Sequence, residues 1–511
     1  MKKILIVGGG TAGWLTAAKL ARTLSANSPE GVQVTLVESS DIPTIGVGEG
    51  TWPTMRKTLA SIGIDEATFL NRTDASFKQG TKFVNWHQPP INGVNHHYYH
   101  AFTSILDSAE LNLTPYWYKY SEGQSYADTV SVQPALSEAG LSPKLITNRP
   151  YEGLQNYAYH LDAGKLVELL KEHAQQQLGV KHLIANVVQV HSDDTGIASV
   201  DTDNAGRLIA DLYIDCTGFE ALLIGKSLGV KFCSIKDQLL VDQAIAIQVP
   251  YESAEQDIAS ATISTAQSAG WIWDIGIQSR RGTGHVFCSD YMSSDEAESI
   301  LRTYIGDEKG KLNAKHIKMN CGYREKFWHK NCVAVGLSAA FVEPLEASAI
   351  FLIEASANMI AELFPRNDRQ MNRSAEKYNQ SFHFRWQRTI DFIKMHYVLS
   401  KRQEPFWQAN KLPKSIPQSL SLMLEDWHDR PVSKYDFEHV FEPFPQDSYQ
   451  YVLNGMGFEV DALAYQFACH RDEVAKQCFA HVEQLKHKAQ QQLQKNRQVL
   501  NAIRQYGIQK M

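Results

Sequence analysis

The most constraining stretch of this chain is its beginning, where the apolar run 2–7 meets the tight turn Gly8-Gly9-Gly10-Thr11-Ala12-Gly13 and then the Ala- and Leu-rich segment Trp14 to Leu24. Val32 to Val37 follows as a second apolar run and ends in Glu38. This order predicts a strand, a turn, a helix and a second strand at the N-terminus, a β-α-β unit. In a G-x-G-x-x-G turn the first glycine allows the bend and the second lets the backbone approach a pyrophosphate. The third lets helix and strand pack closely. Glu38 stands 25 residues after Gly13, where a carboxylate can accept from both hydroxyls of an adenosine ribose, while the helix N-terminus stabilises the diphosphate. FAD and NAD both satisfy these residues. The later strand Leu208 to Asp215, running into Cys216-Thr217-Gly218, tilts the choice to FAD, because an Asp beside a glycine turn can bind a ribityl chain. The chain has no second complete G-x-G-x-x-G. A separate nicotinamide domain is therefore not expected, and the flavin is reduced elsewhere.

At 511 residues, the chain exceeds what one hydrophobic core needs, so two interlocked domains or an α/β body with a large addition are expected. The net charge of -6 offers no cationic field for a nucleic-acid backbone or an anionic membrane, and favours small-molecule chemistry. Seven scattered cysteines never form C-x-x-C and read as reduced thiols of a cytoplasmic protein, not as a disulfide frame or zinc site. The first apolar run stops at Gly8, too short for a signal peptide, and no apolar stretch approaches the ~18 residues of a membrane span.

Along the chain, segments 86–160 read as an irregular middle rich in Pro, Asn and aromatics. Tyr159 to Gln177 is predicted as an amphipathic helix. Strands are predicted at Leu183 to Val190, Ile197 to Asp201 and Leu208 to Asp215, and again at Leu239 to Val249, Trp271 to Ile277 and His285 to Tyr291. Beyond about 345 the pattern turns helical, over 345–364, 374–400 and 461–506. The expected organisation is an α/β FAD-binding, Rossmann-like domain with mixed sheets from 1–100 and 150–400, an inserted substrate-side segment 100–150, and a mostly helical substrate-side domain 401–511.

Several segments, in order, resemble the flavin-dependent halogenases of the tryptophan halogenase type: Gly8 to Trp14, Ile45-Gly46-Val47-Gly48-Glu49, Phe77-Lys78-Gln79-Gly80, Asp215 to Phe219, Gly270 to Ile275, and Gly336-Leu337 through Ile350. The resemblance implies that FADH2 reacts with O2 to give a flavin hydroperoxide, that chloride or bromide attacks it, and that the resulting hypohalous acid halogenates an indole-like or other electron-rich ring. It implies FAD contacts at Gly8, Gly10, Thr11, Ala12, Gly13, Trp14, Glu38, Asp215, Gly218, Gly336, Leu337 and Ile350. It also implies a separate flavin reductase and a homodimer.

Under the same resemblance Lys78 is the lysine that meets the oxidant. It acts either by hydrogen-bonding hypohalous acid or, if desolvation depresses its pKa, by forming a haloamine. Glu346 is the companion carboxylate that orients the electrophile and helps take the proton lost by the ring. Where the family usually has Ser-Thr-Gly, this chain has Ala347-Ser348-Ala349. The backbone donors of Ser348 and Ala349 remain for halide, with Ala restricting the backbone where Gly would not. Trp271 and Trp273 match the signature that walls substrate from flavin, and alternation puts both indoles on one face of a strand. Gly276 replaces the usual proline. His100 and Phe102 fit the ring-stacking positions of the indole pocket, whereas the Tyr-Tyr and carboxylate pattern that grips free tryptophan is not clear around Tyr449, Tyr451 and Phe458. His96-His97-x-x-His100 lacks the carboxylate or cysteine spacing of a metal site. Two other readings stay open: a flavin monooxygenase, if Gly276 loosens the wall, and a flavin-binding protein without turnover.

Overall fold

The run Ile4 to Val7 is almost completely buried, as a strand covered on both faces must be. The computed structural model describes residues 2–41, 48–106, 110–437 and 439–508, and these divide into two contact units. Unit 1 comprises 1–75, 161–235 and 320–386; unit 2 comprises 76–160, 236–319 and 387–511.

In unit 1, Lys3–Val7 lies between Gln33–Glu38 and Leu212–Asp215 in a six-stranded sheet, parallel to both, with Val7 opposite Val37 and Asp215. Lys181–Ile184 extends the sheet on one side, and Cys332–Ala334 with the antiparallel Trp328–His329 extends it on the other. The helix Thr11–Thr23 packs against the helices Ala163–Leu178 and Ser348–Glu362. Parallel strands joined by crossover helices make this the Rossmann-like body that the N-terminal pattern predicts.

Two expected strands each break in two. Leu183 to Val190 divides into Lys181–Ile184 in the main sheet and Val187–Asp193 in a three-stranded antiparallel sheet. The corner is pinned at Asn186, whose amide donates to Asp41 and Asp203 at 2.9 and 3.1 Å. Leu208 to Asp215 divides likewise into Arg207–Leu208 and Leu212–Asp215. The helix expected from Tyr159 begins at Ala163, because Asp162 caps it by accepting from the Lys165 amide at 3.1 Å. The preceding residues form the strand Ala158–Asp162.

Unit 2 is built on a seven-stranded sheet in the order Ala314–Lys318, Gln243–Pro250, Arg280–Phe287, Gly270–Gly276, Thr262–Gln267, Gly80–Val84, His97–Ala101. Every pairing is antiparallel except Thr262–Gln267 with Gly80–Val84. A core of Tyr99, Ile105, Tyr116, Tyr126, Tyr451 and Cys478 packs the 100–150 segment against the C-terminal helices.

The contact units divide the chain differently from the expected domains: residues 76–100, 150–160, 236–319 and 387–400, assigned from sequence to the flavin domain, cluster in unit 2. Strand alternation shows which residues face a core but not which sheet a strand joins, and register decides that. All seven cysteines are free thiols, and among the described residues no helix is long and apolar enough to cross a membrane.

Candidate active site

In unit 1 the three motif glycines of the turn, Gly8, Gly10 and Gly13, do different work. Gly8 has φ +111°, and a Cβ there would lie 2.2 Å from the Cys216 carbonyl oxygen. One on Gly13 would lie 1.9 Å from the Gly8 carbonyl oxygen, so strand and helix touch backbone to backbone. A Cβ on Gly10, by contrast, would meet nothing within 4 Å. Gly10 is the N-cap of the helix, with no side-chain cap and no acidic residue in the first turn. The first-turn amides of Thr11, Ala12 and Gly13 stand at the positive end of the helix dipole, next to the open space at Gly10, an arrangement that suits a diphosphate. Gly336 (φ +74°) closes against Ala12, where a Cβ would lie 2.7 Å from that of Ala12. Leu337 is half-buried beside it. Trp14 and Ile350 are buried in the core; their contribution is to the shape of the body beneath the turn.

Glu38 folds over the turn. Its Oε1 lies 2.7 Å from His182 Nε2 and 3.1 Å from Lys171 Nζ, and its other oxygen takes the space that a side chain on Gly9 would need. Asp215 differs from expectation. Fully buried, it accepts from the Thr217 amide and hydroxyl at 3.0 and 2.6 Å and from the Leu223 and Ile224 amides at 2.8 and 2.9 Å. Both oxygens are committed to the turn, so Asp215 shapes the loop around Gly218 (φ +66°) and its carboxylate is not turned toward a ligand.

Of Ile45-Gly46-Val47-Gly48-Glu49, the first three lie outside the described residues. Burial, with the nearby Asp162 charge, pushes the Glu49 carboxyl up to about 7. Glu346 is 4% exposed, and its carbonyl accepts from Trp52 Nε1 at 2.7 Å. Trp52 in turn stacks on Phe351 at 4.3 Å. The restricted backbone expected at Ala349 falls elsewhere. Ala347 is the residue in the left-handed region, φ +52°, while Ala349 is an exposed position in the helix Ser348–Glu362, where alanine is favoured over glycine. The helix starts without a side-chain cap, leaving the amides that begin at Ser348 as donors.

In unit 2, Lys78 ends the strand Ser76–Lys78, which pairs antiparallel with Ala158–Asp162 so that Ser76 faces His160 and Lys78 faces Ala158. Register and hydrogen bonds bring 78–80 beside 100–102: Gly80 is opposite Ala101, and the Phe102 amide donates to the Gln79 carbonyl at 3.1 Å. Lys78 is 1% exposed, and its Nζ lies 5.2 Å from the centre of the Phe102 ring. Burial and the Lys78 charge hold His160 well below the usual imidazole range, and its Nε2 meets Thr262 Oγ1 at 2.8 Å. The Lys78 ammonium is thus withdrawn from bulk water and set beside an aromatic ring, where its interactions are stronger than in solvent.

His100 is buried, with Nε2 2.9 Å from Ser448 Oγ and its ring 5.4 Å from Phe392. Sequence reasoning missed Phe392 and Phe444, which stack at 3.8 Å with Tyr449 edge-on at 4.9 Å. It also missed the ionic group behind them, where Arg388 Nε lies 3.6 Å from Glu442 and Nη1 3.6 Å from Asp391. Burial raises Glu442 to about 7 and Asp391 to about 6. Helical spacing of Arg388, Asp391 and Phe392 was the available signal, but the partner segment 442–449 is distant in sequence. Tyr451 is a core residue whose hydroxyl donates to the Thr103 carbonyl at 3.0 Å.

Trp271 and Trp273 share a face of Gly270–Gly276, with ring centres 6.4 Å apart. Trp271 is 1% exposed; Trp273 lies over Gly284, whose missing side chain makes room for it. At Gly276 a Cβ would lie 2.8 Å from the Tyr251 hydroxyl and 2.9 Å from Ile258 Cγ2. The space a proline would take is thus already filled. His97 turns to Glu138 at 3.1 Å, away from His100, and among the described residues no group of three His, Cys, Asp or Glu side chains is placed to hold a metal.

The tryptophan halogenase family model matches residues 3–471. A tryptophan 6-halogenase of Streptomyces toxytricini is 35% identical over 481 residues, covering 89% of both chains. A tryptophan 7-halogenase of Lentzea aerocolonigenes is 32% identical over 489 residues, covering 90% of both. The crystal structure of a tryptophan halogenase from Shewanella frigidimarina superposes with a TM-score of 0.96 at 42% identity, over 100% of this chain and 99% of that one.

Proposed function

The chain belongs to the tryptophan halogenase family and is a flavin-dependent halogenase, and from that premise we propose that it uses hypohalous acid, made from chloride or bromide, to halogenate tryptophan or another indole-like, electron-rich ring. The observation that carries this reading is Lys78: a 1% exposed lysine with its ammonium nitrogen 5.2 Å from the Phe102 ring centre, in a fold whose flavin turn is complete. When bound, FADH2 with O2 supplies the oxidising equivalents. A separate reductase delivers it, in keeping with a chain that carries one dinucleotide turn.

The residues divide the work. Thr11, Ala12 and Gly13 hold the diphosphate through their amides, and Glu38 holds the ribose. The amides beginning at Ser348 serve the halide. Lys78 holds hypohalous acid by donating to its oxygen, which makes the halogen more electrophilic; in water this donor would be spent on solvent. Glu346 accepts the proton released as the ring regains aromaticity. His100 and Phe102 position the ring, and the buried Phe392–Phe444 stack limits its size. Trp271 and Trp273 keep oxygen transfer from competing with halogenation, a role supported by the filled space at Gly276.

The test supplies the purified chain with a flavin reductase, oxygen, bromide and a panel of indoles, tryptophan included. Products carrying bromine's paired isotope masses are expected. Hydroxylated products with labelled oxygen, or no product across the panel, would overturn the reading.

A further inference from the structure

We propose that Lys171 and His182 are positioning residues for the adenosine ribose of the cofactor: they hold one oxygen of Glu38 from behind, so that the other is presented over the glycine turn. This rests on the FAD reading of that turn, and within it gives the two residues control over how strongly FAD is preferred to FMN, which lacks the adenosine.

The two oxygens of Glu38 stand in different surroundings. Oε1 is buried, 2.7 Å from His182 Nε2 and 3.1 Å from Lys171 Nζ. Oε2 lies over Gly9, 1.6 Å from where a Cβ on that glycine would be, and among the described residues no donor meets it. Gly9 is not one of the three motif glycines, and the carboxylate explains it: the three nearest atoms to such a Cβ all belong to Glu38. Separate elements of unit 1 bring the groups together. Leu36 is opposite His182 and Glu38 opposite Ile184 in neighbouring parallel strands, so alternation puts the Glu38 and His182 side chains on one face of the sheet. Lys171 reaches the same oxygen from the helix Ala163–Leu178. Trp14, fully buried in the first turns of the motif's own helix, packs edge-on against the imidazole with ring centres 5.1 Å apart and so fixes the attitude of the ring.

The two positioning residues do different work. Burial pulls His182 below the usual imidazole range, although Glu38 opposes the shift, so at neutral pH the ring sets the direction of the carboxylate without adding charge. Lys171 supplies the charge. A carboxylate beside a diphosphate repels it, and an ammonium at Oε1 offsets that repulsion while leaving Oε2 to accept from the ribose hydroxyls. The Lys171 side chain is 27% exposed, so water screens part of this effect and the expected contribution is modest.

Fluorescence titration of the full chain with FAD and, separately, with FMN tests this without reference to halogenation. Lys171→Gln should weaken FAD binding about fivefold and His182→Ala about tenfold, while FMN, which does not extend to Glu38, binds as before. Lys171→Arg keeps the charge and should keep the FAD affinity. Gly9→Ala displaces the carboxylate directly and should reproduce the selective loss of FAD, which holds the test open if His182→Ala fails to fold. In a Glu38→Ala background the Lys171 and His182 substitutions should lose their effect, since they act through that side chain. FAD affinity unchanged by Lys171→Gln and His182→Ala overturns the proposal. So does FMN affinity falling in step with FAD, or a loss that persists undiminished without Glu38. Failure of the unsubstituted chain to bind FAD would overturn the flavin reading as well.

Discussion

In the function proposed here, the glycine turn of unit 1 and the lysine strand of unit 2 contribute in opposite ways. In the turn, chemistry follows from residues missing a side chain: Gly8 and Gly13 because backbone lies within 2.2 Å of where a Cβ would be, Gly10 because the space beside it is open. In the strand, chemistry follows from a side chain removed from water, Lys78, by neighbours that arrive from Ala158–Asp162 and His97–Ala101. The first kind of site is written locally and tolerates almost no substitution. The second is an ordinary lysine until the sheet closes around it.

Lys78→Ala should break the second site alone. We expect product formation to fall by at least about a hundredfold, in the range seen when a positioned donor is lost, with flavin affinity unchanged in a fluorescence titration. Retained turnover would remove Lys78 from the chemistry. Within the turn, Gly13→Ala forces a methyl into the Gly8 carbonyl and should cost about 3 kcal/mol or more of unfolding free energy, read by denaturant titration. Gly10→Ala meets no atom, so stability should hold within about 1 kcal/mol while flavin binding weakens. Equal effects at the two glycines would refute the division of labour.

A third comparison sets pH against the buried Glu354, which accepts from Thr54 Oγ1 at 3.0 Å and from Thr58. Burial raises its carboxyl from 4.5 to about 7, so the folded state holds a proton that the unfolded state has lost. Stability from this group therefore declines as pH rises from 4.5 to about 7 and stays low above that. Glu354→Gln should flatten the melting-temperature profile over that window; an unchanged slope would assign the titration elsewhere. The smallest effects concern the segment Ala347-Ser348-Ala349. Ala347→Gly, relieving φ +52°, should stabilise by about 1 kcal/mol. Ala349→Gly, in the helix, should destabilise by about 0.5–1 kcal/mol. Thermal melts giving the reverse order would move the strain back to Ala349.

Much of unit 1 was legible because its signals are close together: a buried run, a glycine turn, a helix and a second run within 38 residues. Asp215 was found by its place at a strand end, yet its carboxylate serves the turn. Sequence marks such an Asp without showing how many amides will reach it. The strand His97–Ala101 was hidden in the irregular middle, since its sequence, two His and two Tyr before Ala, lacks the β-branched alternation used to find strands, and the five-residue Gly80–Val84 is too short to show a period of its own. Phe392 and Phe444 are 52 residues apart, and no local pattern joins them.

What the sequence determined by itself is the dinucleotide turn, because glycine is required wherever backbone meets backbone and that requirement is readable residue by residue. It also supplied the ordered segments, Lys78 among them, that mark the family. Only the tertiary structure decided that Lys78 is dry, that Ala347 and not Ala349 carries the unusual backbone, that Tyr251 fills the place of a proline, and that Lys171 and His182 meet one oxygen of Glu38. Burial and the closeness of charges are properties of the folded register, and hydrogen bonding across a sheet sets that register between residues far apart in the chain.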